Sequence, residues 1–145
     1  MHFNLIDNVL ELGDDHIVAR KQVTSAEEYL ADHFPGFPIL PGVMMLETMV
    51  QAARHLIGAS RPGAWVAGDV RAVKYGAMVR PGQSLRVAVS MAAPSEAGTI
   101  ACRGTGVIEG GPGDGDTAIS GRFTMRPPNN LRAAAQLQES ETTCS

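Results

Sequence analysis

The sequence predicts an α+β fold in which a long antiparallel β-sheet wraps around one central buried helix. Two observations support this prediction: residues 43–57 have strong helical periodicity, and most other patterned segments alternate apolar and polar residues. The chain has 145 residues, of which 44% are hydrophobic and 19% charged. These values are typical of one globular domain, large enough to fold without a disulfide or metal staple.

The first predicted elements are two short strands at residues 5–11 and 17–23. They flank a turn at residues 13–15, which have the sequence Gly-Asp-Asp. In the second strand, alternate residues from Ile17 to Val23 form one face. These segments predict a β-hairpin at the start of the domain.

The predicted helix at residues 43–57 carries apolar residues at ten of its fifteen positions. Because these residues cover most of the helix circumference, the pattern predicts a buried helix rather than a surface helix. Gly58 follows directly and is expected to cap the helix C-terminus.

From residue 64 onward the pattern is again typical of strands. Residues 85–91 and 119–125 alternate, and residues 99–109 lie between them. Turn residues separate these runs, so we expect an antiparallel meander with a long hairpin loop at the Gly- and Asp-rich residues 110–116. After Pro127-Pro128 the chain is polar and Ala-rich, which predicts a domain at 1–128 and a flexible C-terminal tail at 129–145.

Composition and motifs exclude several classes of function. The net charge of −3 argues against nucleic acid as a partner. No apolar run exceeds four residues, and the N-terminus lacks an export signal, so no membrane insertion is expected. Cys102 and Cys144 lack metal or CxxC spacing, which suits a reducing cytoplasm. The four histidines lack metal-ligand spacing and no nucleotide-binding motif is present, so neither metal nor cofactor is expected.

Charge is unevenly distributed along the chain. Residues 1–47 hold eight acids and two bases, whereas residues 48–108 hold seven bases and two acids. The basic stretch is either a docking surface for an acidic partner or a set of solvated strand faces.

The most unusual segment is residues 33–42, which contain three prolines at a spacing of three and lead into the predicted helix. Proline at this spacing keeps the backbone extended and excludes a helix or a central strand. The segment is either a rigid support for a catalytic side chain or a stiff buried connection without a chemical role.

His33 opens this segment and Glu47 lies in the first turns of the helix. Several apolar residues flank Glu47, so its carboxylate is expected to be partly desolvated. A histidine beside such a carboxylate can act as a general base and acid pair. Gln51, four residues after Glu47, lies on the same helix face and is placed to orient the carboxylate.

Gly42 and Val43 begin the helix, where backbone N–H groups lack intrahelical acceptors. Glycine also allows a ligand to approach closely. These amides would polarise a carbonyl group. A base could then remove a proton from the α carbon, and an acid could protonate a β-hydroxyl so that it leaves as water. The predicted site therefore consists of two side chains, two amides and a supporting glutamine.

The pattern HFPGxPIxPGV at residues 33–43, followed by Glu47 and Gln51, resembles the signature of bacterial 3-hydroxyacyl-[acyl carrier protein] dehydratases. A weaker likeness extends over residues 5–126. The resemblance implies a hotdog fold, in which a long antiparallel sheet wraps a central helix. It also implies a homodimer, which in this family often forms a trimer of dimers.

The resemblance also implies a role for each site residue. His33 matches the catalytic base and Glu47 the catalytic acid, and glutamate at 47 resembles the branch without isomerase activity. Gly42 matches the glycine whose N–H binds the thioester carbonyl, and Gln51 matches a supporting helix glutamine. Residues 69–79 depart from the family pattern by about one extra residue, and this region shapes the acyl tunnel in the family.

The expected activity is dehydration of (3R)-3-hydroxyacyl-[acyl carrier protein] to the trans-2-enoyl form, in fatty acid or related lipid or polyketide biosynthesis. The expected partners are acyl carrier protein, the acyl thioester and a second copy of the chain. Two alternatives remain open. One is a hotdog hydratase or thioesterase acting on acyl-coenzyme A, and the other is a non-catalytic subunit that binds acyl thioesters.

Overall fold

The structure is a computed structural model that describes residues 4–24 and 40–128. The elements in chain order are β1 (Asn8–Leu12), β2 (His16–Gln22), α1 (Gly42–Gly58), β3 (Val66–Tyr75), β4 (Ser84–Met91), β5 (Ile100–Glu109) and β6 (Thr117–Arg126). Within these residues the strands form one sheet in the order β1-β2-β4-β5-β6-β3, and all neighbours are antiparallel. This architecture confirms the predicted α+β hotdog plan; the predicted tail at 129–145 lies outside the described residues.

The core lies between α1 and one face of the sheet, where the helix packs against β2, β4, β5 and β6. The helix is buried on this face only. Val43, on the other side, is 70% exposed, because a single helix in contact with one sheet has only one covered face. The buried helix residues are Met45, Thr48, Met49, Val50, Ala52, Ala53, Leu56 and Ile57.

The predicted cap at Gly58 is wrong. Gly58 is the last residue of the helix, and Ala59 follows it in a right-handed conformation with φ −65°. The Ala59 N–H donates to the His55 carbonyl at 3.3 Å, and the Arg61 N–H donates to the Ile57 carbonyl at 2.8 Å. Because these bonds satisfy the terminal carbonyls without a left-handed residue, glycine is not needed here as a cap.

The predicted meander is confirmed for β4, β5 and β6 but not for β3. A meander would pair β3 with β4. Instead, β2 pairs with β4, and β3 pairs with β6 at one edge of the sheet. The long loop between β5 and β6 is confirmed. Its backbone is held by Gln83, whose side-chain Nε2 donates to the carbonyls of Gly110 and Pro112, both at 2.8 Å.

β3 contains two extra residues relative to β6. The pairs Ala67–Met125 and Val70–Phe123 enclose one of them, and the pairs Arg71–Arg122 and Lys74–Ser120 enclose the other. Ala72, inside the second irregularity, has φ +54°. The second β-bulge lies within residues 69–79, the segment whose sequence departs from the family pattern, and the first overlaps the start of that segment. In the described part of the chain, no helix is long and apolar enough to cross a membrane.

Gly106 tests the packing of the core. A Cβ at this position would lie 2.9 Å from both Ile119 Cγ2 and Leu85 Cδ1, which are fully buried side chains. Gly106→Ala should therefore lower the free energy of unfolding by about 1–3 kcal/mol. As a control, Gly58→Ala meets no atom within 4 Å and should raise it by about 0.5 kcal/mol. Chemical denaturation measures both; an unchanged Gly106→Ala protein would contradict the packing described here.

Candidate functional site

Glu47 lies in the second turn of α1 with its side chain 44% exposed. Its Oε1 atom accepts a hydrogen bond from Gln51 Nε2 at 3.5 Å. The same oxygen lies 3.5 Å from Arg54 Nη1. The carboxylate is therefore half-buried and held by two donors, as expected of a partly desolvated group.

Gln51 connects Glu47 to the start of the domain. Its Oε1 accepts a hydrogen bond from the backbone N–H of Leu5 at 2.8 Å, and Leu5 is fully buried. The amide group of Gln51 is thus fixed at both ends. The structure brings Gln51 and Glu47 together as their spacing predicts.

Arg54 belongs to the same cluster, although it was not predicted from the sequence. Its Nε donates to the Trp65 carbonyl at 3.1 Å, and Trp65 Nε1 donates to the Arg61 carbonyl at 3.0 Å. The signal in the sequence is the spacing of seven from Glu47, which places Arg54 two helical turns away on the same face.

The two donors approach the same oxygen of Glu47. Gln51 Nε2 and Arg54 Nη1 each lie 3.5 Å from Oε1. Because a carboxylate has two oxygens and transfers a proton through one of them, these contacts at Oε1 are compatible with proton transfer through Oε2.

The helix N-terminus at Gly42 and Val43 offers backbone N–H groups. The helix begins after Pro41, has no side-chain cap and carries no acidic residue in its first turn. The N–H groups of Met44 and Met45 both donate to the Pro41 carbonyl. The N–H groups of Gly42 and Val43, which precede these two, have no intrahelical acceptor. No acidic side chain in the first turn offsets the positive end of the helix dipole.

Tyr75, at the end of β3, covers one side of Gly42. A Cβ at position 42 would lie 2.7 Å from Tyr75 Cε1, so glycine is required there unless the ring moves. Tyr75 is 54% exposed, which leaves part of the ring in contact with solvent beside the helix N-terminus. This contact joins residues 33 positions apart in the sequence, and no local pattern indicates it.

The proline-containing segment enters the helix through Leu40. The Leu40 N–H donates to the Val79 carbonyl at 2.8 Å, and Leu40 is buried. His33 lies outside the described residues, so its pairing with Glu47 remains a prediction. Among the residues that the structure does describe, no group of three or more His, Cys, Asp or Glu side chains is arranged to hold a metal ion.

Comparisons with known proteins indicate the family of this chain. The ApeI-like family model, described as ApeI dehydratase, matches residues 10–107. The FabZ 3-hydroxyacyl-[acyl-carrier-protein] dehydratase of Streptococcus uberis is 38% identical over 125 residues, covering 83% of this chain and 84% of the relative. The corresponding protein of Lactococcus lactis subsp. cremoris is 40% identical over 88 residues, or 57% of this chain and 60% of the relative.

Solved structures share the fold at low sequence identity. The dehydratase heterocomplex ApeI:P from Xenorhabdus doucetiae has a TM-score of 0.64 at 16% identity, covering 86% of this chain and 99% of that chain. A thioesterase superfamily member from Thermus thermophilus has a TM-score of 0.65 at 17% identity, covering 94% of this chain and 99% of its own. These two likenesses support the fold alone.

The fold and the sequence matches together define a hotdog-fold dehydratase. Within that class, the chain belongs to the family of 3-hydroxyacyl-[acyl-carrier-protein] dehydratases. This result confirms the resemblance carried by residues 33–51 and the prediction that the protein is an enzyme.

Arg54 should act as a positioning residue for Glu47. In Arg54→Met the carboxylate loses its charged partner, so kcat for dehydration should fall roughly tenfold with little change in KM. Arg54→Lys keeps a positive charge and should recover part of the loss. Arg61→Met is the control, because Arg61 contributes only its backbone carbonyl to this cluster. Steady-state kinetics measures all three variants, and equal losses in Arg54→Met and Arg61→Met would contradict the assignment.

Proposed function

We propose that this protein dehydrates (3R)-3-hydroxyacyl thioesters on acyl carrier protein to the trans-2-enoyl thioesters, in fatty acid or related lipid or polyketide biosynthesis. The observation that carries this proposal is the half-buried carboxylate of Glu47, held at Oε1, on the helix that begins with the uncapped amides of Gly42 and Val43. The names of the relatives from Streptococcus uberis and Lactococcus lactis give the same reaction.

In the proposed mechanism, His33 removes a proton from C2 of the substrate. The N–H groups of Gly42 and Val43 donate to the thioester oxygen and stabilise the negative charge that develops on it. Glu47 gives a proton through Oε2 to the C3 hydroxyl, which leaves as water while the C2–C3 double bond forms. Gln51 and Arg54 hold the other carboxylate oxygen throughout.

We further propose that the active unit is a cytoplasmic homodimer, which can assemble into a trimer of dimers, with acyl carrier protein as its protein partner. Val43, on the side of the helix away from the sheet, is an apolar residue that is 70% exposed, which supports a second copy beside it. Comparing carrier-linked and coenzyme A-linked forms of one substrate distinguishes this proposal from a coenzyme A hydratase or thioesterase.

The two proposed proton-transfer residues can be tested by substitution. His33→Ala and Glu47→Gln should each lower turnover by roughly 10²–10⁴-fold, because each removes a group that transfers a proton. Formation of enoyl product from a 3-hydroxyacyl carrier protein measures the effect. The unfolding midpoint of each variant serves as the control, and an unfolded Glu47→Gln protein would indicate a structural role instead.

Subunit mixing tests whether each site is shared across the dimer. If His33 of one subunit acts with Glu47 of its partner, a mixed dimer of His33→Ala and Glu47→Gln chains holds one doubly altered site and one intact site. About half of the exchanged dimers are mixed, so activity should recover to roughly a quarter of wild type. No recovery after verified exchange would place both residues of a site in one chain.

A further inference from the structure

The aromatic ring of Tyr75 lies directly beside the first residue of α1. A Cβ added at Gly42 would lie 2.7, 3.0 and 3.2 Å from the Tyr75 ring atoms Cε1, Cζ and Cδ1. One side of the ring therefore lies against the Cα atom of Gly42. Because the Cα–Cβ bond in a helix tilts toward the helix N-terminus, the ring lies toward the end of the helix rather than along its length.

The ring is held in this place by the backbone around it. Tyr75 is the cross-strand partner of Ile119, which is fully buried. The next residue, Gly76, donates its N–H to the Ala118 carbonyl at 2.9 Å, and a Cβ at Gly76 would collide with the Thr117 carbonyl oxygen. The end of β3 is thus fastened closely to β6.

The helix end is joined to the same part of the sheet. The Leu40 N–H donates to the Val79 carbonyl at 2.8 Å, and both residues are buried. Leu40 precedes Gly42 by two residues, and Val79 follows Tyr75 by four. The contact between ring and helix is therefore supported on both sides, and the ring forms a fixed wall beside the first helical amides.

β3 departs from regular pairing before it reaches Tyr75. The second β-bulge lies between Arg71 and Lys74. Within it, Ala72 has φ +54°, a left-handed conformation that costs free energy for a residue with a Cβ. The position of Tyr75 opposite Ile119 is thus maintained at an energetic cost.

Tyr75 and Glu47 lie on different sides of the helix end. An α-helix turns about 100° per residue, so Gly42 and Glu47 are about 140° apart around its axis, whereas Val43 and Glu47 are about 40° apart. A helical side chain covers the turn that precedes it, so the Glu47 carboxylate faces the Val43 side of the helix end. The ring of Tyr75 lies on the Gly42 side.

This arrangement sets the orientation of a thioester in the proposed mechanism. The thioester oxygen accepts from the N–H groups of Gly42 and Val43, and the C3 hydroxyl lies at Glu47. The carbonyl carbon has two other substituents, C2 and the sulfur, which lie on opposite sides of it. Because C2 is directed toward Glu47, the sulfur is directed toward Tyr75.

The ring is close enough to contact that sulfur. A backbone nitrogen lies about 2.5 Å from the Cβ position of its own residue, so the nearest ring carbon is within about 5 Å of the Gly42 nitrogen. A thioester oxygen that accepts from this nitrogen at about 2.9 Å brings its sulfur into the range of roughly 5 Å at which sulfur and aromatic rings attract one another. Tyr75 is 54% exposed, so part of the ring surface is open to an incoming group.

We propose that Tyr75 is a substrate-contacting residue whose ring recognises the thioester sulfur and selects thioesters over oxygen esters; this inference rests on the proposed function. Sulfur is larger and more polarisable than an ester oxygen, so its contact with an aromatic ring is more favourable. The contact keeps the carbonyl oxygen on the amides of Gly42 and Val43 and the C3 hydroxyl toward Glu47.

The test replaces the sulfur of a small ligand by oxygen and the ring of Tyr75 by an aliphatic group. The two ligands are the N-acetylcysteamine thioester of butyric acid and the corresponding oxygen ester, and neither carries a 3-hydroxyl group that could leave. Titration followed by NMR gives Kd for each ligand with wild type, Tyr75→Leu and Tyr75→Phe, and the unfolding midpoint of each variant is the control for folding.

We expect Tyr75→Leu to raise Kd of the thioester about fivefold and Kd of the oxygen ester less than about twofold, because leucine keeps the apolar bulk and removes the ring. Tyr75→Phe keeps the ring and should change either Kd less than about twofold. In wild type, a nuclear Overhauser contact should join the Tyr75 ring protons to the methylene group next to the sulfur.

Each other result overturns the proposal. Equal weakening of both ligands by Tyr75→Leu would show that the ring only supports the helix end, and equal effects of the Phe and Leu variants would assign the effect to the hydroxyl. Failure of wild type to bind the thioester would exclude the contact. If Tyr75→Leu does not fold, the Overhauser measurement on wild type decides, and its failure to detect the contact would overturn the proposal.

Dehydration of the 3-hydroxybutyryl thioester of N-acetylcysteamine is measured separately with wild type. Sulfur-selective binding without enoyl product would contradict the proposed function and leave the role of Tyr75 intact. Enoyl product together with equal binding losses for the two ligands would support the proposed function and overturn the role of Tyr75.

Discussion

The close packing of α1 on the middle of the sheet is the constraint on which the rest of the structure depends. Gly104 lies directly beneath Met49, and a single added carbon at position 104 would collide with the methionine sulfur. Because Met49 is fully buried, this contact shows how closely the helix approaches the sheet. Glu47 and Gly42 are carried by the same helix, so the core determines where the carboxylate and the helix N-terminus lie.

The candidate site depends on contacts between distant parts of the chain. The carboxylate of Glu47 is held through Gln51 by the backbone at Leu5, and through Arg54 by the carbonyl of Trp65. These partners precede and follow the helix in the sequence. The orientation of Glu47 is therefore a property of the folded domain rather than of the helix alone. A displacement of either flanking segment would move a donor that contacts the carboxylate.

The parts of the fold that follow from local patterns were predictable from the sequence. The helix at 43–57, the first hairpin and the β4–β6 meander each have a periodicity that specifies them, and the structure reproduces all three. The position of β3 was not predictable, because its pairing with β6 is decided by topology. Gly58 was wrongly assigned as a cap since terminal hydrogen bonds, rather than residue type alone, decide how a helix ends.

The same distinction applies to the candidate site. The spacing of four between Glu47 and Gln51 predicts their contact, and the structure contains it. Tyr75 was missed because its contact with Gly42 joins a strand end to a helix start. Arg54 was missed although its spacing places it on the right face, because an exposed arginine on a helix has many possible partners. His33 lies outside the described residues, and its proposed role rests on the resemblance of residues 33–51 to the family signature.

The two bulges of β3 have a consequence for how this strand tolerates insertions and deletions. Without them, Ala67, Arg71 and Tyr75 would share one face of the sheet, because alternate residues do. The first bulge transfers Arg71 to the outer face, opposite Arg122, and the second returns Tyr75 to the inner face, opposite Ile119. Each extra residue therefore absorbs one step of the alternation. Deleting that residue would remove the bulge and leave Arg71 opposite Arg122 and Tyr75 opposite Ile119, whereas a deletion elsewhere in β3 that kept both bulges would exchange the faces of everything beyond it.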